Sequence, residues 1–224
     1  MKIIGVSEAV RRELPASEKN MVIYNELPEY SVEFSPGVSK LIVFPANYIT
    51  GKGQNYAIEA FAKIADKFQE WTLRFVGGDM GLSKNKAYKS SLIKRSQELG
   101  LSNRIEFLDF ATNLVLHYQE AAFILNFSDS ESFSLTTLEA QFNGRPVVVT
   151  RCGGPEEIII DGETGILVPL KDIDAMAQAM ELLMTKNELR QKMGAKAYSH
   201  VREKFSHQNT SGKLADVYLS AIKK

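Results

Sequence analysis

The feature that most constrains the fold is a regular alternation of short apolar runs with helix-type patterns from residue 41 onward. The apolar runs predict strands at 41–44, 72–76, 104–108, 122–127, 146–150 and 165–168. The segments with apolar residues at every third or fourth position predict helices at about 54–68, 83–99, 113–120, 134–143, 172–184, 187–204 and 208–222, and a further short helix that begins at Pro155. Short strands that alternate with helices favour parallel pairing through right-handed crossovers. The chain is therefore predicted to be an α/β protein, a Rossmann-like three-layer sandwich around a mainly parallel sheet.

In such sheets, ligands bind beyond the carboxyl ends of the strands, at the point where the strand order reverses. The loops that follow the predicted strands are 45–53, 77–82, 108–112, 127–134 and 150–155. Most of the unusual residues of the sequence lie in these loops, so we expect the functional site there.

Composition excludes several classes of function. Lys and Arg together number 27, as do Asp and Glu, so no global field attracts nucleic acid. The lysine-rich helix at 83–99 has no interleaved aromatic residues, and a nucleic-acid partner is not predicted. Cys152 is the single cysteine and no metal-ligand motif occurs, so we expect no disulfide and no protein-bound metal. No apolar run is long enough for a membrane span or a signal peptide, which predicts a cytoplasmic chain.

Residues 1–36 differ from the regular pattern that follows. They contain a possible strand at 3–6, a short helix at 8–14 with Ser7 as its cap, and a second strand at 21–24. These fragments are too few to make a domain. Two interpretations are equally compatible with this pattern, an arm that packs on the main body at 37–224 and the tail of a domain that precedes it.

The loop at 127–134 leads into a helix whose exposed first amides would bind a phosphate oxygen or a sugar hydroxyl. Ser132 or Ser134 would cap this helix, and capping alone explains either serine. Glu131 lies just before the helix. Glu139 lies inside it among apolar residues, where a carboxylate is costly unless it accepts hydrogen bonds, as it would from a ribose diol. Without further context, two glutamates eight residues apart are better explained as ordinary charges on a helix surface.

Lys52, within the sequence TGKG, is a candidate for neutralising a diphosphate, because Gly51 and Gly53 let the backbone approach a ligand closely. The segment does not have the P-loop pattern. Gly77 and Gly78 follow a strand but lack the third glycine of the dinucleotide fingerprint. Neither of these two nucleotide motifs is therefore predicted.

Together these residues resemble the C-terminal, donor-binding domain of retaining glycosyltransferases with the two-domain GT-B fold, the "glycosyltransferase group 1" family. The segments that carry the resemblance are Glu131-x7-Glu139, GRPVV at 144–148, GGPEE at 153–157, DGETGILVP at 161–169 and KGQNYAIEAF at 52–61. The early segments GVSEAVRREL and MVIYN resemble the end of the family's N-terminal domain. The resemblance implies that 1–36 is a remnant tail of the acceptor domain and that 37–224 is the nucleotide-sugar donor-binding domain.

The resemblance also implies roles for particular residues. Lys52 holds the donor diphosphate, together with an arginine whose position is taken here by Asn47, a neutral donor instead of a charged fork. Glu131 contacts the transferred sugar near the reacting centre, and Glu139 holds the ribose hydroxyls. The remaining implied donor contacts are Gly78, Phe107, Ser132, Phe133, Ser134 and Leu135. Ser132 and Ser134 replace family glycines, and this departure puts the shape of the loop around the sugar in doubt.

The implied reaction is transfer of a hexose from a nucleoside diphosphate sugar to an acceptor hydroxyl, with retention of configuration and without a metal. A UDP-sugar is the default donor, and the acceptor is a glycan or a lipid-linked sugar. The full-length protein would be cytoplasmic, either free or peripheral to the membrane. We expect the chain alone to bind donor without turnover, because the N-terminal domain supplies the acceptor wall. The alternatives are a non-catalytic nucleotide-sugar binding module and a flavodoxin-like or dinucleotide-binding domain.

Overall fold

The structure is a computed structural model that describes residues 3–17, 19–27, 30, 32 and 39–222. Its strands are β1 Ile3–Gly5, β2 Asn20–Val22, β3 Leu41–Pro45, β4 Thr72–Val76, β5 Ile105–Leu108, β6 Phe123–Asn126, β7 Val147–Thr150 and β8 Gly165–Val168. Its helices are α1 Glu8–Glu13, α2 Gln54–Ile64, α3 Ser83–Glu98, α4 Val115–Glu120, α5 Leu135–Phe142, α6 Pro155–Ile158, α7 Ile173–Thr185, α8 Asn187–Lys204 and α9 His207–Ile222. Among these residues, no helix has both the length and the apolar character needed to cross a membrane.

Strands β3 to β8 form one parallel sheet with the order β5-β4-β3-β6-β7-β8. The chain therefore moves outward from β3 in one direction, returns to the middle, and continues outward from β6 in the other. This is the doubly wound order of dinucleotide-binding folds, and it differs from the flavodoxin order. The strand order reverses between β3 and β6.

Two apolar cores cover the two faces of this sheet. Ile42 and Phe44 of β3 belong to the core that contains α2 and α7, whereas Val43 belongs to the core with α5 and α8. Because both faces are covered, the central strands are apolar along their whole length and do not alternate with polar residues. The predicted α/β three-layer fold is confirmed.

Some predicted element ends differ from the structure. Phe68 was expected on the buried face of the helix at 54–68, but α2 ends at Ile64 and a 3₁₀ turn follows at Ala65–Lys67. Phe68 lies after this turn, where it is partly buried against the same core. The strand predicted at 41–44 is one residue longer in the structure. Pro45 is the last residue of β3 and is paired with Val76.

The N-terminal segment packs on the main body. Strands β1 and β2 pair in parallel with each other, and α1 between them has Ser7 as its N-cap, as expected. The Ser7 hydroxyl donates to the carbonyl oxygen of Ser132, and the amide of Leu27 donates to the carbonyl oxygen of Phe205. The predicted domain boundary at 36/37 lies outside the described residues, and the division into 1–36 and 37–224 stays a prediction.

Candidate functional site

A cavity of about 390 Å³ opens at the carboxyl ends of β3 and β6, where the strand order reverses. Its volume lies in the range of about 300–1,000 Å³ that is usual for small-molecule sites. The predicted site residues among its lining are Asn47, Lys52, Glu131, Ser132, Phe133, Ser134 and Leu135. Val6 and Asn25 of the N-terminal segment also contribute to the wall. The fold thus brings residues from three separate parts of the sequence to one place.

Lys52 and Glu131 form an ion pair at this cavity. The Lys52 ammonium lies 2.7 Å from Oε1 of Glu131, and the Ser128 hydroxyl donates to the same oxygen at 2.8 Å. The side chains of Lys52 and Glu131 are 32% and 16% exposed, so the pair is only partly open to water. A ligand that enters the cavity meets both charges directly.

The loop that carries Lys52 lies against the loop that carries Glu131. Gly53 has a φ of 84°, and a Cβ there would lie 2.1 Å from the carbonyl oxygen of Phe127. The amide of Asp129 donates to the carbonyl oxygen of Gly51 at 2.8 Å, which joins the two loops directly. Only glycine at position 53 allows this approach, and the approach sets the distance between the lysine and the glutamate.

The start of α5 forms the floor of the cavity. Ser134 has a φ of 80° and caps the helix through a hydrogen bond from the Thr137 amide to its hydroxyl. Asn126, at the end of β6, donates to the same hydroxyl at 2.9 Å. Phe133 is buried, and its ring stacks on Tyr24 of the N-terminal segment. The hydroxyl of Ser134 is therefore committed to the fold, and it is the backbone at the helix start that faces a ligand.

Asn47 connects the loops after β3 and β4. Its side-chain oxygen accepts a hydrogen bond from the Gly78 amide at 2.9 Å, and the Tyr48 amide donates to the Gly78 carbonyl. Asn47 lines the main cavity and also a second cavity of about 170 Å³, whose walls include Gly77 and Phe110. Asn47 therefore positions the loop of Gly78 and adds no charge to the site.

Glu139, Phe107 and Gly78 do not line either of these two cavities. The Glu139 carboxylate accepts a hydrogen bond from the Tyr118 hydroxyl at 3.0 Å, and burial raises the pKa of this carboxyl. The Phe107 ring points into the core, where it stacks on Phe75 at 5.2 Å. Contact of donor with Glu139, or with the backbone near Gly78 and Phe107, stays a prediction.

Sequence reasoning missed residues that the structure places at the site. Asn126 ends an otherwise apolar strand, and a buried amide at the carboxyl end of a strand was a usable signal. Phe110 is 66% exposed in the loop after β5 and lines the second cavity, and its place in a loop after a predicted strand was the available signal. Ser128 had no such signal, because a serine in a loop is unremarkable until its partner is known.

Metal and thiol chemistry find little support in these residues. Over the described part of the chain, no three His, Cys, Asp or Glu side chains lie close enough together to hold a metal ion. Burial raises the pKa of Cys152 to about 11, which keeps the thiol protonated at neutral pH. A protonated thiol is a poor nucleophile.

Residues 31–200 match the sequence profile of the glycosyl transferases group 1, and the chain belongs to this family. It is 34% identical over 188 residues to D-inositol 3-phosphate glycosyltransferase of Corynebacterium glutamicum (strain R). That match covers 82% of this chain but 44% of the relative, so the chain spans less than half of the relative's length. The resemblance inferred from the motifs is confirmed.

Solved structures show the same fold. The C-terminal domain of a glycosyl transferase group 1 family protein from Francisella tularensis matches with a TM-score of 0.68 at 26% identity, over 76% of this chain and 88% of that one. Anabaena HepE, solved in complex with UDP and glucose, matches with a TM-score of 0.89 at 21% identity, over 98% of this chain and 63% of that one. The predicted GT-B half-fold is therefore confirmed.

Proposed function

We propose that this chain is the donor-binding half of a retaining glycosyltransferase that transfers a hexose from a nucleoside diphosphate sugar to an acceptor hydroxyl. The observation that carries the proposal is the Lys52–Glu131 pair in a cavity at the strand-order reversal, beside the start of α5. A cation and a helix N-terminus suit a diphosphate, and a carboxylate beside them suits a sugar hydroxyl. Named relatives in the family and a fold neighbour solved with UDP and glucose support the same assignment.

In this proposal, Lys52 and the backbone amides at the start of α5 stabilise the leaving diphosphate. Both are fixed by the fold before the donor arrives, which is the arrangement that lowers a barrier through electrostatic preorganisation. Glu131 contacts the sugar at the reacting centre. Because fixed protein groups carry this charge, the proposed mechanism needs no divalent metal.

Glu139 is proposed to hold the ribose hydroxyls of the donor. The carboxylate has two oxygens, and the Tyr118 hydroxyl donates to Oε2. A ribose diol would add donors to a carboxylate that burial already disfavours, and this gives the ligand a favourable hydrogen-bonding partner. A UDP-sugar is the proposed donor.

A second domain is proposed to supply the acceptor site. The end of α9 carries exposed apolar side chains, with Tyr218 63% and Ile222 79% exposed, and this surface would suit a packed neighbour. The acceptor proposed is a glycan or a lipid-linked sugar. A cytoplasmic location belongs to the same proposal and rests on the sequence alone.

Calorimetric titration with UDP, GDP, ADP and their sugars, and with NAD and FMN as competitors of another class, tests the proposal. For Lys52→Ala we expect UDP affinity to fall about tenfold to a hundredfold, with little change for uridine, because a charged hydrogen bond contributes about 1.5–3 kcal/mol. For Glu139→Ala we expect weaker binding of both ligands. Preference for NAD or FMN, or equal losses of UDP and uridine in Lys52→Ala, would contradict the assignment.

A non-catalytic nucleotide-sugar binding module is the second candidate, and Asn47 is the observation that favours it. Asn47 stands where the resemblance places an arginine, and its side-chain oxygen is engaged by the Gly78 amide. The site therefore has less positive charge for a leaving diphosphate than the family pattern implies. Tight UDP-sugar binding by the full-length protein, without transfer or donor hydrolysis, would favour this candidate.

A further inference from the structure

We propose that the Lys52–Glu131 ion pair is an autoinhibitory contact that the donor diphosphate has to open. In the structure Glu131 pairs with the lysine, and diphosphate binding exchanges this partner for phosphate oxygens. The exchange removes one of the two contacts on Oε1 of Glu131 as it secures the donor. This inference rests on the proposed function, because it describes how the same site is regulated.

The charge balance of the cavity is the first argument. Among the described residues that line the cavity, Lys52 is the one with a positively charged side chain. Its ammonium lies 2.7 Å from the Glu131 carboxylate, and so the local charges cancel. A nucleoside diphosphate carries two to three negative charges and would meet a neutral site. Its phosphate oxygens can form an ion pair with the Lys52 ammonium at full strength only when Lys52 no longer pairs with Glu131.

The support around Glu131 is the second argument. The Ser128 hydroxyl donates to the same Oε1 that Lys52 contacts. Ser128 is itself held on both sides, since its amide donates to Asn126 Oδ1 at 3.1 Å and its carbonyl oxygen accepts from the Thr150 hydroxyl at 2.6 Å. Glu131 therefore keeps its position when Lys52 turns to the phosphate. Its Oε1 then has one more acceptor site for a sugar hydroxyl than when Lys52 is paired with it.

Removal of a binding-site residue usually weakens ligand binding, but for Glu131 the proposal expects tighter UDP binding. Glu131→Gln should bind UDP about threefold to tenfold more tightly than the wild type, because a partly exposed ion pair of modest strength no longer competes for Lys52. Uridine lacks phosphate and should bind equally to both proteins. UDP is the chosen probe because it lacks the transferred hexose and so leaves the hexose contact of Glu131 out of the measurement.

A double-mutant cycle measures the competition directly. UDP and uridine are titrated into the wild type, Glu131→Gln, Lys52→Ala and the double variant, with urea unfolding of each to confirm the fold. Glu163→Gln is the matched control, because it also neutralises a lysine-paired carboxylate, on the exposed surface next to Lys196. Glu131→Ala serves as a second variant at the same position. The proposal expects tighter UDP binding from loss of Glu131 in the presence of Lys52 and little change in its absence.

Other outcomes separate the inference from the proposed function. Equal tightening with and without Lys52 would show general repulsion by Glu131 and overturn the exchange. Weaker UDP binding by Glu131→Gln, or tightening by Glu163→Gln of the same size, would also overturn it. Absence of UDP binding in every variant, the wild type included, would overturn the proposed function itself.

Discussion

At the scale of single residues, Glu139 shows a conflict between stability and the proposed binding role. Its carboxylate lies half-buried in the second turn of α5, and burial raises its pKa more than the hydrogen bond from Tyr118 lowers it. The folded state therefore takes up a proton at a higher pH than the unfolded chain, whose carboxyl titrates near 4.5. Stability from this group is highest below that pH and falls as pH rises through the folded pKa.

We therefore expect Glu139→Gln to be more stable than the wild type at pH 7 to 8. The difference in the free energy of unfolding should shrink toward zero as pH falls below about 4.5, because the wild-type carboxyl then becomes neutral in both states. Urea unfolding across this pH range measures it, with Glu163→Gln as an exposed control. A difference that grows toward low pH would contradict the assignment. Because an amide is a weaker acceptor than a carboxylate, UDP binding by the same variant should weaken.

The residues of the site were predictable to different degrees. Lys52 was proposed from the segment KGQNYAIEAF and Glu131 from its spacing to Glu139, but the ion pair between them was not predicted. They are 79 positions apart, and only the folded loops bring them together. Phe107 was assigned to the donor site by the resemblance, through its backbone, and this contact stays a prediction; its ring lies on the core face. The Phe107 ring is directed to the core by packing on Phe75. The sequence does not show this orientation, because an apolar run with both faces buried has no alternation that distinguishes the two faces.

At the scale of secondary-structure elements, Glu157 connects two parts of the protein that are distant in sequence. Its sequence position, at the start of the helix now seen as α6, favours a simple interaction with that helix's own dipole. In the structure its carboxylate accepts hydrogen bonds from the Glu8 and Ala9 amides at 2.8 Å and from the Tyr24 hydroxyl at 3.0 Å. Glu157 thus binds the first amides of α1 and attaches the N-terminal segment to the main body.

Glu157→Ala should loosen the N-terminal segment. It leaves two amides of α1 without their acceptor, and we expect a loss of about 1–3 kcal/mol in the free energy of unfolding. Hydrogen exchange at Glu8 and Ala9 should accelerate more than exchange in β3 to β8. Glu156→Ala is the matched control, since the neighbouring carboxylate contacts Gly153 and Arg151 and not α1. Equal exchange rates in the two variants would show that Glu157 does not hold the segment.

The existence of the main elements was predictable from periodicity, and their ends were less so. Strand 72–76 and helix 187–204 were predicted to the residue because a buried run and a long amphipathic pattern leave few alternatives. Helix α2 is shorter than its apolar pattern, because the chain tightens into a 3₁₀ turn before Phe68. The change from α-helix to 3₁₀ turn depends on packing at the helix end, and the spacing of apolar residues carries no information about that packing.

At the scale of the whole molecule, the cavity is formed by loops of the main body together with residues of the N-terminal segment. The sheet supplies the loops after β3 and β6, and Val6 and Asn25 close part of the wall from the N-terminal side. Alternating strands and helices predicted parallel pairing, but they did not determine which strands are neighbours. No strand order was predicted, so the five loops after the strands were the candidates and the cavity at the reversal point was located only by the fold.

The chain alone should bind a UDP-sugar without transferring the sugar. The described residues offer groups for the nucleotide and the sugar, while the chain covers 44% of a relative's length and leaves apolar α9 residues exposed for a neighbour. In the proposed function a second domain holds the acceptor hydroxyl at the reacting carbon, and positioning of this kind is worth about 7–11 kcal/mol in rate. Calorimetry should therefore detect UDP-glucose, whereas a UDP-release assay with a panel of glycan and lipid-linked acceptors should stay at the level of a Lys52→Ala control. Lys52-dependent release of UDP with sugar transfer by this chain alone would contradict the requirement for a second domain.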